Sequence, residues 1–162
     1  MATSTEDHEV LAVVRASTGR RVLGVGSLAF LGILLIYVAL IRPPDSLGWQ
    51  GFLILLGGLT LWLADAMRRA TALVIELTRN GLRCSDGEMI ARIDDIQAMD
   101  RGIFAFKPSN GFLMKTKSKA PARWQPGLWW RVGRRIGIGG VTPGHQSKAM
   151  AEIIAALMAE QR

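Results

Sequence analysis

Two apolar runs decide the fold of this chain: Val22–Ile41, VLGVGSLAFLGILLIYVALI, and Trp49–Met67, WQGFLILLGGLTLWLADAM. The only charge in either run is Asp65, near the end of the second. As helices, both runs would extend about 30 Å, the thickness of the hydrocarbon core of a bilayer. The connector contains two consecutive prolines and cannot continue a helix. The runs therefore predict a transmembrane helical hairpin over residues 22–67. The alternative is a pair of buried helices in a soluble core.

Basic residues mark the outer ends of the two runs. Arg15, Arg20 and Arg21 precede the first run and Arg68 and Arg69 follow the second, whereas the connector holds only Arg42. Because cytoplasmic flanks of membrane helices carry an excess of Lys and Arg, we expect a multi-pass protein of the bacterial inner membrane with both termini cytoplasmic. A cleaved signal peptide is the alternative, but the run is long for one and no small-residue cleavage site follows it. Residues 1–21 are predicted to be a cytoplasmic N-terminal segment that is mostly loose over residues 1–14.

Two contacts are predicted within the hairpin. Asp65 lies three and four residues before two arginines, so an ion pair on one helix face is expected. Small residues let helix backbones approach closely. The candidates for such an approach are Gly24, Gly26, Gly32, Gly57 and Gly58.

Residues 68–162 predict a small β domain closed by a helix. Short β-type runs separated by turns occur at residues 71–77, 82–84, 88–93, 96–100, 102–106, 112–117, 128–132 and 135–138, with a longer loop over 119–127. Near the C-terminus, apolar residues recur with helical spacing and predict a helix that packs on the core. These are Met150, Ile153, Ile154, Leu157 and Met158.

The order of these elements resembles the bacterial pleckstrin-homology-like (PH-like) membrane proteins. The resemblance is carried by ALVIELTRNGLRC at 72–84, an Asp-Gly turn, and IARIDDIQAMDRG at 90–102, which are similar to that family's opening strands. The resemblance implies two transmembrane helices followed by a mainly-β PH-like barrel or sandwich, residues 68–162, with a C-terminal capping helix. It also implies a cytoplasmic, membrane-tethered domain, and no common enzymatic activity.

No enzyme signature is found in the sequence, so neither catalysis nor a cofactor is expected. Two histidines and one cysteine provide too few ligands for an imidazole or thiolate metal site. Gly139 and Gly144 have the spacing of the glycines in a phosphate-binding loop. The following residues are His145 and Gln146, where such a loop needs Lys and Ser or Thr. A single Cys84 excludes an internal disulfide framework.

Charge is the remaining distinctive feature. The chain has a formal net charge of +7, and residues 101–151 contain ten Lys or Arg and no acidic residue. Lysines at 115, 117 and 119 alternate at strand spacing, which predicts one basic sheet face. Tryptophans at 124, 129 and 130 lie in the same stretch. The residues predicted to bind lipid or a partner are Lys107, Lys115, Lys117, Lys119, Arg123, Trp129, Arg131, Arg134 and Arg135.

Three kinds of partner are possible for this basic stretch: anionic lipid, an acidic protein and nucleic acid. Anionic phospholipid headgroups attract basic residues and tryptophan at the membrane surface. An acidic subunit of a membrane protein complex would bind the same charges, and a face that is merely solvated needs no partner. Nucleic acid is the less favoured option for a domain tethered to a membrane. The sequence therefore predicts a membrane-anchored binding or scaffolding module, an accessory or assembly partner of a larger complex. The alternative is a lipid-handling or transport protein in which the hairpin itself is functional.

Overall fold

The computed structural model describes residues 9–100 and 109–161 and forms two compact units. The helical unit is Thr18–Arg69. The β unit combines the residues before it, up to Ser17, with those from Ala70 onward. Each unit is considered by itself.

The helical unit consists of α1, Thr18–Ile41, and α2, Leu47–Ala70, with 24 residues each. Both helices extend beyond the predicted runs and include Arg20, Arg21, Arg68 and Arg69, because arginine is a good helix former. By length and composition both helices are able to cross a membrane, a property that core helices of soluble proteins and signal sequences share. Little of their apolar surface is covered by the chain: 11% of the most apolar window of α1 and 17% of that of α2 is buried.

Two of the predicted glycines form the closest approach of α1 and α2. A Cβ added at Gly32 would lie 2.7 Å from Leu61 Cγ, and one at Gly57 would lie 2.7 Å from Ile36 Cγ1. Added at Gly26 or Gly58, it would meet nothing within 4 Å. Close packing is therefore confirmed at Gly32 and Gly57 alone among these four.

The predicted ion pair of Asp65 is confirmed. Its carboxylate lies 2.7 Å from Arg68 Nη2 and 2.7 Å from Arg69 Nη1, one turn further along α2. The charge near the end of the second apolar run is therefore paired on its own helix.

A four-stranded antiparallel sheet begins before the helices. Strand β1, Ala12–Arg15, pairs with β2, Val74–Leu77, which is followed by β3, Gly81–Cys84, and β4, Met89–Arg92. The prediction of a loose N-terminal segment is wrong for β1, where Val14 is fully buried in the core. The segment forms a strand because β2 offers it an edge to pair with and a core to cover.

A second antiparallel sheet has three strands. A 3₁₀ turn, Ile93–Asp95, leads into β5, Ile96–Asp100, which pairs with β6, Phe112–Gln125, and β6 pairs with β7, Trp129–Ile138. The predicted loop over 119–127 is wrong, because β6 continues through most of it. The two predicted strands of residues 128–138 are one strand. The predicted strand 102–106 lies outside the described residues.

One hydrophobic core joins both sheets and the C-terminal helix α3, Gly144–Glu160. Met150 and Ile154 of α3 are fully buried, which confirms the predicted core-facing stripe. The described strands form two separate sheets and do not close into a barrel. The confirmed architecture is therefore two long apolar helices, a mostly antiparallel β region and a C-terminal helix.

Candidate functional site

The predicted binding residues that the structure describes all lie on the hairpin of β6 and β7. The strands are joined by a tight turn in which the Leu128 N–H donates to the Gln125 carbonyl at 3.0 Å. Next to this turn, Gln125 pairs with Trp129 and Trp124 with Trp130. Lys107 lies outside the described residues.

The hairpin is irregular, and its irregularity decides which side chains face the core. The pairing of β6 with β7 shifts between Lys115 and Ala120 and again before Arg123. On β7, Gly133 has a φ of 61°, a backbone conformation that residues other than glycine rarely adopt. Residues 129 and 131 point inward before this position and residues 136 and 138 after it. The alternation of inward-facing and outward-facing side chains along β7 therefore shifts by one residue near Gly133.

Trp129 belongs to the core and not to a binding surface. Its side chain is 1% exposed and packs within the core cluster. Its indole N–H has no hydrogen-bond partner among the residues that the structure describes. Because it is buried, Trp129 cannot make the predicted contact with lipid or a partner.

Arg131 is also internal, at 7% exposure. Its guanidinium donates to the carbonyls of Pro121 at 2.9 Å and of Met89 and Ile90 at 3.2 Å. It also donates to Glu88 Oε1 at 2.9 Å. Through the carbonyls of Met89 and Ile90, Arg131 fastens the second sheet to β4, the edge strand of the first. This arginine therefore has a structural role.

Glu88 binds a second predicted residue. Its Oε2 lies 2.8 Å from Arg123 Nε, close enough for an ion pair, although the geometry is not that of a hydrogen bond. Glu88 is only 16% exposed, whereas Arg123 is 57% exposed. Arg123 is therefore held by one carboxylate and still reaches the surface.

The three lysines of β6 are exposed, but only two follow strand alternation. Met114 and Thr116 point inward and Lys115 and Lys117 outward, whereas Lys117, Ser118 and Lys119 are all exposed. Lys117 Nζ donates to the Asp94 carbonyl at 2.7 Å, and Ser118 binds the Asp95 carboxylate. The end of β6 near the 3₁₀ turn is thus partly neutralised.

The other end of the cluster is not neutralised. Lys115 lies directly opposite Arg135 in the pairing of β6 with β7, and Arg134 is also exposed. Like charges opposite each other on a sheet face are destabilising. No ion pair to a described residue compensates Lys115, Lys119, Arg134 or Arg135. We call Lys115, Lys117, Lys119, Arg134 and Arg135 the basic face.

The hairpin also carries an apolar groove that the sequence did not predict, although Arg123 and Arg131 are among the predicted site residues. The groove has a volume of about 370 Å³ and is lined by Ala122, Arg123, Trp124, Trp130, Arg131 and Val132. Trp124 is 58% exposed and Val132 is 62% exposed. The three tryptophans of this stretch, at 124, 129 and 130, are visible in the sequence, but the position of the turn determines which of them face outward. We call this feature the tryptophan groove.

Other chemistry has little support in the structure. Within residues 9–100 and 109–161, no group of three or more His, Cys, Asp or Glu could hold a metal ion. Cys84 is a free, buried thiol, and its burial raises the pKa of that thiol. A neutral, enclosed thiol is a poor nucleophile.

Comparisons of the chain with models of protein families, with curated proteins and with solved structures found no match. What this protein does must therefore be argued from its own geometry.

Proposed function

We propose that this protein is a membrane-anchored, PH-like binding module whose basic face docks onto anionic lipid or onto an acidic subunit of a membrane complex. It acts by binding and scaffolding, without catalysis, as an accessory or assembly partner. The proposal rests on three features: the apolar surface of the helices, the pairing of β1 with β2, and the charges of the basic face.

The surface of α1 and α2 supports insertion in a bilayer. Large apolar side chains on these helices point away from the chain, among them Phe30, Leu55 and Trp62, which are each more than half exposed. A core helix of a soluble protein would bury such side chains. In a bilayer they would contact lipid, and all backbone polar groups would remain bonded within the helices.

The pairing of β1 with β2 supports one orientation. Arg15 at the end of β1 lies opposite Val74 at the start of β2. Only Ala16 and Ser17 separate β1 from α1, and only residues 71–73 separate α2 from β2. Two paired strands lie on one side of a bilayer, so the outer ends of both spanning helices lie there too. The arginines at these ends favour the cytoplasmic side.

The strand order supports the PH-like part of the proposal. A four-stranded and a three-stranded antiparallel sheet, followed by a C-terminal helix over a shared core, match the arrangement that the resemblance implies. The chain departs from it in one respect, because its first strand precedes the two helices. The β unit is thus interrupted by the anchor instead of simply following it.

The observation that carries the binding function is the pair of Lys115 and Arg135, which no ion pair to a described residue compensates. A sheet that places these cations opposite each other loses stability, by roughly 0.2–1 kcal/mol for a directly opposed like-charge pair. An anion bound beside both cations on the outer surface would offset their repulsion. Phosphate headgroups and carboxylate clusters both supply such an anion. The transport alternative has no comparable observation, since Ser27 and Thr60 of the helices bind their own backbone carbonyls.

A photo-crosslinking residue at Ala98 tests the proposal in native membranes. Ala98 is exposed on β5 directly opposite Lys115, so the substitution leaves every cation of the basic face intact. We expect adducts with lipid or with another polypeptide. They should diminish at high salt and in the double variant Lys115→Gln, Arg135→Gln, because exposed charges are screened over about 10 Å at 0.1 M salt.

The matched control is the same crosslinking residue at Ala156, an exposed position on α3. If Ala98 and Ala156 give the same adducts with the same salt dependence, the basic face binds no anion and the proposed function is wrong. Extraction of the full chain from membranes by alkaline carbonate would separately contradict the anchor.

A further inference from the structure

The tryptophan groove is the main apolar surface that the β unit leaves uncovered. Among the described residues of this unit, the large apolar side chains that are exposed are Val10, Met89, Trp124 and Val132. Trp124 and Val132 are the most exposed of these, and both line the groove. Exposed apolar patches on otherwise soluble domains mark sites of interaction with proteins or membranes.

The groove and the basic face belong to one continuous surface. Trp130 pairs with Trp124 across the hairpin. Its indole also covers Gly137, where an added Cβ would lie 2.5 Å from the ring atoms Cε2 and Nε1. Gly137 is two residues from Arg135 and therefore faces the same side of β7. The aromatic rings and the opposed cations Lys115 and Arg135 are thus neighbours on one side of the sheet.

Among the described residues, the carboxylate that pairs with arginines of the groove, Glu88, is mostly buried. Trp129 and Arg131 point inward, and Arg131 binds Glu88, the carboxylate nearest to the groove. Glu88 also pairs with Arg123 and is itself mostly buried. Arg123, which is 57% exposed, therefore places a guanidinium group at the edge of the apolar groove.

We propose that the tip of this hairpin inserts into the headgroup layer of an anionic bilayer. Trp124 and Val132 enter the boundary between headgroups and acyl chains, while Lys115, Arg134 and Arg135 contact lipid phosphates. This inference rests on the proposed function and commits it to lipid instead of an acidic subunit.

The chemistry of the surface favours lipid as its occupant. Tryptophan has a polar N–H on a large apolar ring and is enriched at membrane interfaces. Each Lys or Arg near an anionic membrane surface adds to binding. The short connections between the strands and the helices keep the β unit within reach of the bilayer that the helices span, so little further cost of association remains.

Tryptophan quenching in reconstituted bilayers tests the inference on the full chain. The starting variant is Trp49→Phe, Trp62→Phe, Trp130→Phe, which leaves Trp124 and the buried Trp129 as its two tryptophans. It is reconstituted into bilayers of brominated phosphatidylcholine, with or without phosphatidylglycerol. We expect quenched, blue-shifted emission with phosphatidylglycerol, weaker quenching without it, and loss of this quenching in Trp124→Phe.

Three further variants separate insertion from general unfolding. Val132→Gln should weaken the quenching, whereas Val10→Gln, an exposed apolar residue outside the groove, should leave it unchanged. Lys115→Gln with Arg135→Gln should also weaken it, and so should high salt. Buried Trp129 emission should remain unquenched in all of them and so reports that the core is intact.

Three results would overturn the inference. Unquenched Trp124 in both lipid mixtures would exclude insertion. Equal quenching with and without phosphatidylglycerol would exclude the role of anionic lipid. Salt-sensitive crosslinks from Ala98 to a polypeptide alone, with Trp124 unquenched, would assign the surface to an acidic protein and leave the proposed function standing.

Discussion

The two units of this protein place their apolar side chains in opposite ways. In the helical unit, large apolar residues such as Phe30 and Leu55 point outward, and the helices touch each other through glycines. In the β unit, large apolar residues such as Trp129 and Ile154 are enclosed, and most charges other than the Arg131–Glu88 pair lie outside. The described surface of the helical unit is thus mainly apolar, and that of the β unit is mainly polar. The tryptophan groove is the exception in the β unit.

Removing β1 should have the largest effect on this comparison. We expect a fragment of residues 70–162 to lose the cooperative unfolding of the β unit, because β2 loses its partner strand and Val14 leaves the core. Circular dichroism during thermal unfolding measures this. The control joins residues 9–17 to residue 70 through a short Gly/Ser linker and should restore the transition. Equal melting of both fragments would show that β1 is dispensable.

Ile154→Asp should unfold the β unit in the full chain. The substitution buries an unpaired carboxylate at a fully enclosed position of α3, at a cost of several kcal/mol in the free energy of unfolding. The matched control is Ala156→Asp, an exposed position on the same helix, which should change little. Limited proteolysis in mild detergent compares the two. Similar resistance of the two variants would mean that α3 does not pack on the core.

Arg131→Gln should cost about 3–5 kcal/mol of unfolding free energy, because it leaves Glu88 enclosed with one partner fewer and frees two carbonyls of β4. Arg134→Gln, an exposed arginine on the same strand, should cost no more than about 0.5 kcal/mol. Chemical denaturation of the full chain in detergent, followed by circular dichroism of the β unit, measures both. Equal effects would contradict the structural role of Arg131.

Phe30→Asp tests the helical unit. At a lipid-facing position near the centre of α1, the carboxylate should cost about 2.5–3.5 kcal/mol of insertion free energy. In water the same exposed position would tolerate the change. Ser46→Asp, in the connector between the helices, is the control and should insert normally. Carbonate extraction of membranes measures the inserted fraction, and unchanged insertion of Phe30→Asp would argue against a spanning helix.

The parts of this fold that could be predicted from sequence are those that local patterns determine. Run length defined α1 and α2, helical periodicity defined α3, and a spacing of three and four residues predicted the pairing of Asp65. None of these requires knowledge of a distant partner. Strand β1 was missed because its four residues show no period and are ordered only by pairing with β2, far along the chain.

The site was predicted less well, for a related reason. Lys115, Arg134 and Arg135 are exposed as a basic face requires, whereas Trp129 and Arg131 are not. The side that each residue of β7 faces depends on the tight turn before it and on the irregular pairing near Gly133. Arg131 is internal because Glu88, 43 residues earlier, accompanies it. The amino-acid sequence shows these charges but does not show that Arg131 pairs with Glu88.

The position of β1 ahead of the two helices has a consequence for biosynthesis. The ribosome releases β1 first, and at about 5–20 residues per second its partner β2 follows only after an interval on the order of seconds. In a chain that spans the membrane as proposed, the first sheet is completed only when both helices have inserted and the chain has returned to its starting side. A chain with one helix left out would keep β1 and β2 on opposite sides of the bilayer. Such a chain would leave the facing edges of β1 and β2 unpaired, so completion of the first sheet depends on insertion of both helices.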